Sequence, residues 1–119
     1  MYKIKVEGIF SSAHNLRNYK GKCEELHGHN WKVEVVVCKD KLDKAGMVLD
    51  FKYLKMKLDR VLEKLDHKYL NNIPYFKKNN PTSENIAKYI YDNLKSKIIN
   101  FDSVTVWESE NSAATYYGA

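Results

Sequence analysis

Residues 27–38, "HGHNWKVEVVVC", carry two signals at once. Over 29–38, Trp31, Val33, Val35 and Val37 share one parity, while Lys32 and Glu34 take the other. Such alternation, rich in β-branched residues, predicts a half-buried strand. At its mouth stand His27 and His29, and Cys23 lies four residues ahead of the first histidine.

Working outward, residues 2–10 repeat the alternation: Tyr2, Ile4, Val6 and Phe10 on one side, Lys3, Lys5 and Glu7 on the other. This predicts a second strand. The period then changes. Phe51, Leu54, Leu58, Val61, Leu62 and Leu65 fall at helical spacing behind Asp50, a suitable N-cap, so a helix is expected over 51–65. "LNNIPYFKKNNPT" (70–82) holds two prolines and four asparagines and reads as a loop. A second helix restarts at Thr82 or Ser83, with Ile86, Ile90 and Leu94 as its buried stripe and Glu84 favourably placed in its first turn. "SVTVWESE" and "ATYYG" supply two more strands.

The order ββααββ predicts an α+β domain over residues 1–119, a four-stranded antiparallel sheet with two helices on one face. Its apolar residues are numerous enough to suggest that the other sheet face closes against copies of the chain.

Composition sets outer bounds. The 119 residues are 44% hydrophobic and 29% charged, which suits one packed soluble domain. Charges interrupt "MYKIKVEGIF", and no later apolar run approaches membrane length, so a cytoplasmic protein with no membrane partner is expected. In a reducing compartment Cys23 and Cys38 stay free. The net charge of +5 is spread among acids rather than gathered in a block, so it argues for no nucleic-acid partner.

Side chains two apart on a strand point the same way, so His27 and His29 share a face, about 7 Å apart at Cα. His14, in "FSSAH" just past the first strand, can join them if the two strands form a hairpin. Three neutral imidazoles suit Zn²⁺ and leave a fourth position open, as in catalytic sites. Gly28 between the ligands is expected to relieve crowding on the opposite face. Spacing alone leaves a second reading, that of partly exposed polar residues at a strand mouth.

"FSSAH", "CEELHGHNW", "GMVLDF", "LDHKYLN", "PTSENIA" and "WESEN" occur in that order along nearly the whole chain. The set resembles the 6-pyruvoyl-tetrahydropterin synthase and 6-carboxytetrahydropterin synthase family. The resemblance implies the tunnelling fold, with subunit sheets joined into a barrel and six chains arranged as two stacked trimers. It implies Zn²⁺ on His14, His27 and His29, with Cys23 as the catalytic thiol. Asp66 and His67 are implied as a proton-transfer pair and Glu108 as the anchor of a pterin ring, with Thr82, Ser83 and Glu84 as further ring contacts.

Each role has a physical basis. A thiol near a cation ionises more easily, and the thiolate is an effective base. Asp66 can orient His67 only if the helix has ended, because successive helical side chains diverge by about 100°. A carboxylate accepts two parallel N–H bonds from a pterin edge.

The implied substrate is 7,8-dihydroneopterin triphosphate. Within the family, pyruvoyl synthases stop after triphosphate loss and internal redox transfer. Carboxy enzymes also release acetaldehyde on the way to queuosine and related deazaguanines. The short spacing from Cys23 to His27 resembles the bacterial carboxy enzymes. Pyruvoyl synthesis, aldolase-like side-chain cleavage and a non-catalytic pterin- or nucleic-acid-binding module are the rival readings. Arg17, Lys20 and Lys22 lie near the expected zinc ligands in sequence.

Overall fold

The computed structural model describes residues 1–118. Four strands, β1 (Tyr2–His14), β2 (His27–Lys39), β3 (Phe101–Ser109) and β4 (Ser112–Tyr117), form one antiparallel sheet in chain order. Between β2 and β3 run α1 (Phe51–Glu63), a 3₁₀ turn (Leu70–Asn72), α2 (Pro74–Lys78) and α3 (Ser83–Lys95). This is the tunnelling-type arrangement of sheet and helices.

Both long helices begin on side-chain caps. The Asp50 carboxylate accepts Lys52 N–H at 2.8 Å, and the Thr82 hydroxyl accepts Asn85 N–H at 3.1 Å. α1 turns Leu54, Leu58, Val61 and Leu62 onto the sheet, and α3 turns Ile86, Ala87, Ile90, Tyr91 and Leu94. They meet Phe10, Trp31, Val33, Val35, Val37, Val104 and Val106 in a continuous core. A Cβ at Gly8 would come within 2.6 Å of Leu62 Cδ1, so glycine there lets α1 lie close to β1.

Three expectations change. β1 does not stop at residue 10: pairing continues through Ser12↔His29 to His14↔His27, so His14 is a strand residue rather than one past the strand end. The 70–82 segment is not a plain loop. Leu70 and Phe76 are fully buried, and Pro74 opens α2, where its missing N–H has no helical partner to lose. At Gly28 a Cβ would meet only Ser12 O, at 3.8 Å, so crowding does not require glycine.

The face away from the helices is mixed rather than apolar. The paired positions Lys5, Glu7, Lys32, Glu34 and Trp107 share it. Lys32 lies 3.6 Å from Glu34 and 5.0 Å from the Trp107 ring centre, and Trp107 Nε1 donates to Glu34 at 3.2 Å. Ile9, which is exposed, and Val36 lie on this face as well, so it is amphipathic rather than a continuous apolar surface. No helix is long and apolar enough to cross a membrane among the described residues. Cys23 and Cys38 are free thiols.

Candidate metal centre and active site

The β1–β2 register puts His14 directly opposite His27, with His29 two residues along on the same face. Ring centres are 4.6 Å apart for His14 and His27, 4.8 Å for His27 and His29, and 5.2 Å for His14 and His29. Trp31 packs edge-on against His14 at 4.9 Å and His29 at 5.1 Å, while Phe10 stacks on it from behind. His14 is buried, and the other two are half-buried. The cluster thus stands on the end of the core.

Backbone carbonyls settle two tautomers. His14 Nδ1 lies 2.7 Å from Pro81 O, and His27 Nδ1 lies 2.9 Å from Glu25 O. A carbonyl only accepts, so both Nδ1 atoms carry hydrogen, and in the neutral rings both Nε2 atoms present lone pairs. Yet those Nε2 atoms face each other at 3.0 Å. A proton or a metal ion between them removes the repulsion.

His29 Nε2 favours the metal. It is buried and forms no hydrogen bond, although Glu108 Oε1 is 3.1 Å away. Burial is the main force holding His29 below its usual 6.5, helped by His14 and His27 and opposed by Glu108. A neutral imidazole is the ligand form. One donor atom from each of His14, His27, His29 and Glu108 falls within 4.8 Å of every other. Neutral, carbonyl-oriented nitrogens converging beside an orphaned one fit a divalent cation.

Glu108, expected as a ring anchor, has its Oε1 3.3 Å from His14 Nε2. The β3 register shifts between Trp107 and Ser109, so Glu108 stands at an irregularity of the kind that re-aims a side chain. Sequence reasoning missed this contact. The signal was the shared parity of Val104, Val106 and Glu108, which assigns the glutamate to the face that also holds the histidines.

Asp66 and His67 do couple. α1 ends at Glu63, and the chain turns through His67 at φ +53°, so the two side chains no longer diverge as on a helix. Asp66 Oδ2 lies 2.8 Å from His67 Nδ1, and its Oδ1 accepts Ser11 N–H at 2.8 Å. The Ser11 N–H, then His67, holds the carboxyl below its usual range. The imidazole points outward, 83% exposed, on the free edge of β1. Among the described residues, no hydrogen bond or ion pair joins this pair to the three histidines.

Cys23 is exposed in the 15–26 connection and lies outside the donor cluster. Its neighbour Glu24 is fixed: Glu24 N–H donates to Leu16 O at 2.8 Å, and Leu16 N–H donates to Glu24 Oε1 at 3.2 Å. The Thr82 hydroxyl is engaged as the α3 cap, Ser83 is half-buried and Glu84 is exposed. The part of "PTSEN" that touches the histidines is the Pro81 carbonyl. Arg17 donates its guanidinium to Phe76 O, and Lys20 covers its neighbour Tyr19. Beside the histidines, Ser11, Ser12, Gly28, His29 and Asn30 line a shallow depression of about 270 Å³. A larger cleft of about 620 Å³, with Lys39 and Lys97 on its walls, lies at the other end of β2.

The family model described as "6-pyruvoyl tetrahydropterin synthase" matches residues 3–119. The chain belongs to that family. It is 40% identical to the 6-carboxy-5,6,7,8-tetrahydropterin synthase of Synechocystis over 98% of this chain and 94% of the relative. It is 37% identical to the dihydroneopterin monophosphate aldolase of Pyrococcus furiosus, covering 89% of each. The solved 6-pyruvoyl tetrahydropterin synthase of Caenorhabditis elegans superposes with a TM-score of 0.86 at 29% identity, over 99% of this chain and 96% of that one. Membership makes this a pterin synthase of lyase type, acting on a small pterin. The three names span the three outcomes that the six motifs leave open.

Proposed function

We propose that residues 1–119 form one zinc-dependent 6-carboxytetrahydropterin synthase domain. With one water it converts 7,8-dihydroneopterin triphosphate to 6-carboxy-5,6,7,8-tetrahydropterin, acetaldehyde and triphosphate in queuosine and 7-deazaguanine synthesis. The observation that carries this is the three-histidine centre with its orphaned nitrogen. His14, His27 and His29 hold the ion. Bound Zn²⁺ supplies Lewis acidity at the side-chain hydroxyls of the pterin.

The chain's own groups do the rest. Cys23 takes the proton from the side-chain carbon attached to the ring. His67, oriented by Asp66, moves protons at the neighbouring side-chain positions. Glu108 anchors the pterin edge, and Thr82, Ser83 and Glu84 add ring contacts at the start of α3.

A depression of about 270 Å³ is smaller than the ligand pockets of about 300–1,000 Å³ that enclose a small molecule. This supports a homohexamer, a dimer of trimers with sheets joined into a barrel, in which a neighbouring copy completes each site in the cytoplasm. The free backbone edge of β1 supports the same assembly.

The carboxy outcome rests on the four-residue spacing of Cys23 and His27 and on the Synechocystis relative. The 6-pyruvoyl outcome is the second reading, favoured by the fit to the nematode enzyme. A non-catalytic module is disfavoured by the intact Asp66–His67 pair, which binding alone does not need. The first test is triphosphate release: it should require zinc and disappear in Cys23→Ala. Equal release from the metal-stripped protein would refute the reading.

A further inference from the structure

The free edge of β1 is paired over its last third by a strand that is not a strand. Ser11 N–H donates to Asp66 Oδ1 at 2.8 Å, and Ser11 O accepts His67 N–H at 2.6 Å. Ala13 N–H donates to Lys68 O at 3.0 Å. Asn15 N–H donates to Asn71 Oδ1 at 3.1 Å, while Asn71 Nδ2 donates back to Asn15 O at 2.8 Å. Arg17 N–H donates to Asn80 Oδ1 at 2.9 Å, and Asn80 Nδ2 returns a bond to Arg17 O at 2.8 Å.

Residues 11, 13, 15 and 17 are thus satisfied at the two-residue period of a sheet ladder. Past His14 the β2 partner has ended, and two asparagine amides stand in for a peptide. An asparagine or glutamine amide offers a donor and an acceptor in one plane, as a peptide group does, without titrating.

We propose that Asn71 and Asn80 are positioning residues that set the His14 ligand and the Cys23 loop in register with the Asp66–His67 pair. The assignment rests on the catalytic reading above for what the register serves. His14 lies next to Asn15, in the clamped segment, and takes its tautomer from Pro81, next to Asn80. Leu16, between the two clamped residues, holds Glu24 through the paired bonds described above, and Glu24 is the neighbour of Cys23. At the other end of the same ladder Asp66 holds His67. The Asp66–His67 pair thus belongs to the row itself, while His14 and Leu16, which holds the neighbour of Cys23, lie between its rungs.

The test uses the full chain in a Cys38→Ser background, which leaves Cys23 as its one thiol, with Asn80→Ala, Asn71→Ala and Asn80→Asp. Three quantities are read: Co²⁺ affinity with its visible absorption spectrum, the rate of Cys23 reaction with a disulfide reagent, and kcat and KM for the pterin triphosphate. Removing outer-shell support weakens metal binding or activity about 10- to 100-fold, so the alanine variants should lose Co²⁺ affinity in that range with an altered spectrum. The Cys23 rate should shift, and kcat should fall more than KM rises. Asn80→Asp keeps the acceptor for Arg17 N–H but loses the donor, and it should lie between wild type and alanine.

An unchanged Co²⁺ spectrum and Cys23 rate in the folded alanine variants would overturn the proposal. If Asn71→Ala does not fold, the two Asn80 variants decide. If wild type turns over no pterin, the catalytic reading fails, and the cobalt spectrum and thiol rate still judge the clamp.

Discussion

His14 Nε2 and His27 Nε2 face each other at 3.0 Å while the Nδ1 of each ring donates to a carbonyl oxygen. Two lone pairs so placed repel, and a cation turns the same geometry into a binding site. The ion's gain on binding is therefore also a gain in fold stability.

Zinc should raise the thermal midpoint and a chelator should lower it. At about 100 times Kd a ligand specific to the folded state adds about 2.7 kcal/mol, and His14→Ala should remove most of that response. The pH dependence has a definite sign. Burial holds His29 below 6.5, so the folded state binds fewer protons than the unfolded chain as pH falls. The stability of the metal-free protein from this group is full above about pH 6.5 and declines as pH drops toward the folded value. Melting curves between pH 5 and 8, with and without zinc, check both statements.

Asp66→Asn keeps an oxygen for Ser11 N–H and removes the charge facing His67. Stability near neutral pH should fall modestly, because the ionised carboxylate is stabilising there, whereas kcat should fall roughly 10²- to 10⁴-fold, the range that general acid–base groups contribute. The lowered Asp66 pKa places its own stabilising effect above the usual carboxylate range, lost only as pH falls through the folded value. A variant with wild-type kcat would remove Asp66 from the mechanism.

Two roles compete for Glu108, whose Oε1 lies 3.3 Å from His14 Nε2 and 3.1 Å from His29 Nε2: anchor of a pterin edge and ligand of the metal. If it anchors the ring, Glu108→Gln should raise KM by about tenfold or more, as expected for loss of a charge-assisted pair, and leave Co²⁺ affinity near wild type. Weakened Co²⁺ binding with an unchanged KM would make the carboxylate a fourth ligand instead.

Much of this was legible in the sequence because each element had an unambiguous period. Trp31, Val33, Val35 and Val37 gave β2, and Leu54, Leu58, Val61 and Leu62 gave α1. The histidine triangle followed from parity and one hairpin. Less legible was whatever depends on side chains replacing backbone. β1 runs on past Phe10 because its pairing with β2 continues to His14↔His27, and beyond it Asn71 and Asn80 hold Asn15 and Arg17 from more than 50 residues away, whereas asparagines in a loop read only as turn formers. Pro74 looked like a breaker and is a helix start, since Phe76 buries the short helix it opens. Glu108 lay on the right parity, but its irregular register cannot be read from alternation.

The same edge bears on assembly. With residues 11–17 already paired, a neighbouring strand can add to β1 only along its earlier half, where the outward-facing groups of Lys3, Lys5 and Ile9 follow the same two-residue period. Sedimentation should give a particle of six 13.9 kDa chains, and Ile9→Pro, which takes away an edge N–H, should shift it toward monomer without loss of the three-histidine centre.

The most direct measurement is product identity. Zinc-loaded protein is incubated with 7,8-dihydroneopterin triphosphate, pterins are resolved by mass spectrometry and acetaldehyde is assayed in parallel. The account predicts 6-carboxytetrahydropterin and acetaldehyde in equal amounts, both absent with Cys23→Ala and with metal-stripped protein. A 6-pyruvoyl product without acetaldehyde would contradict it.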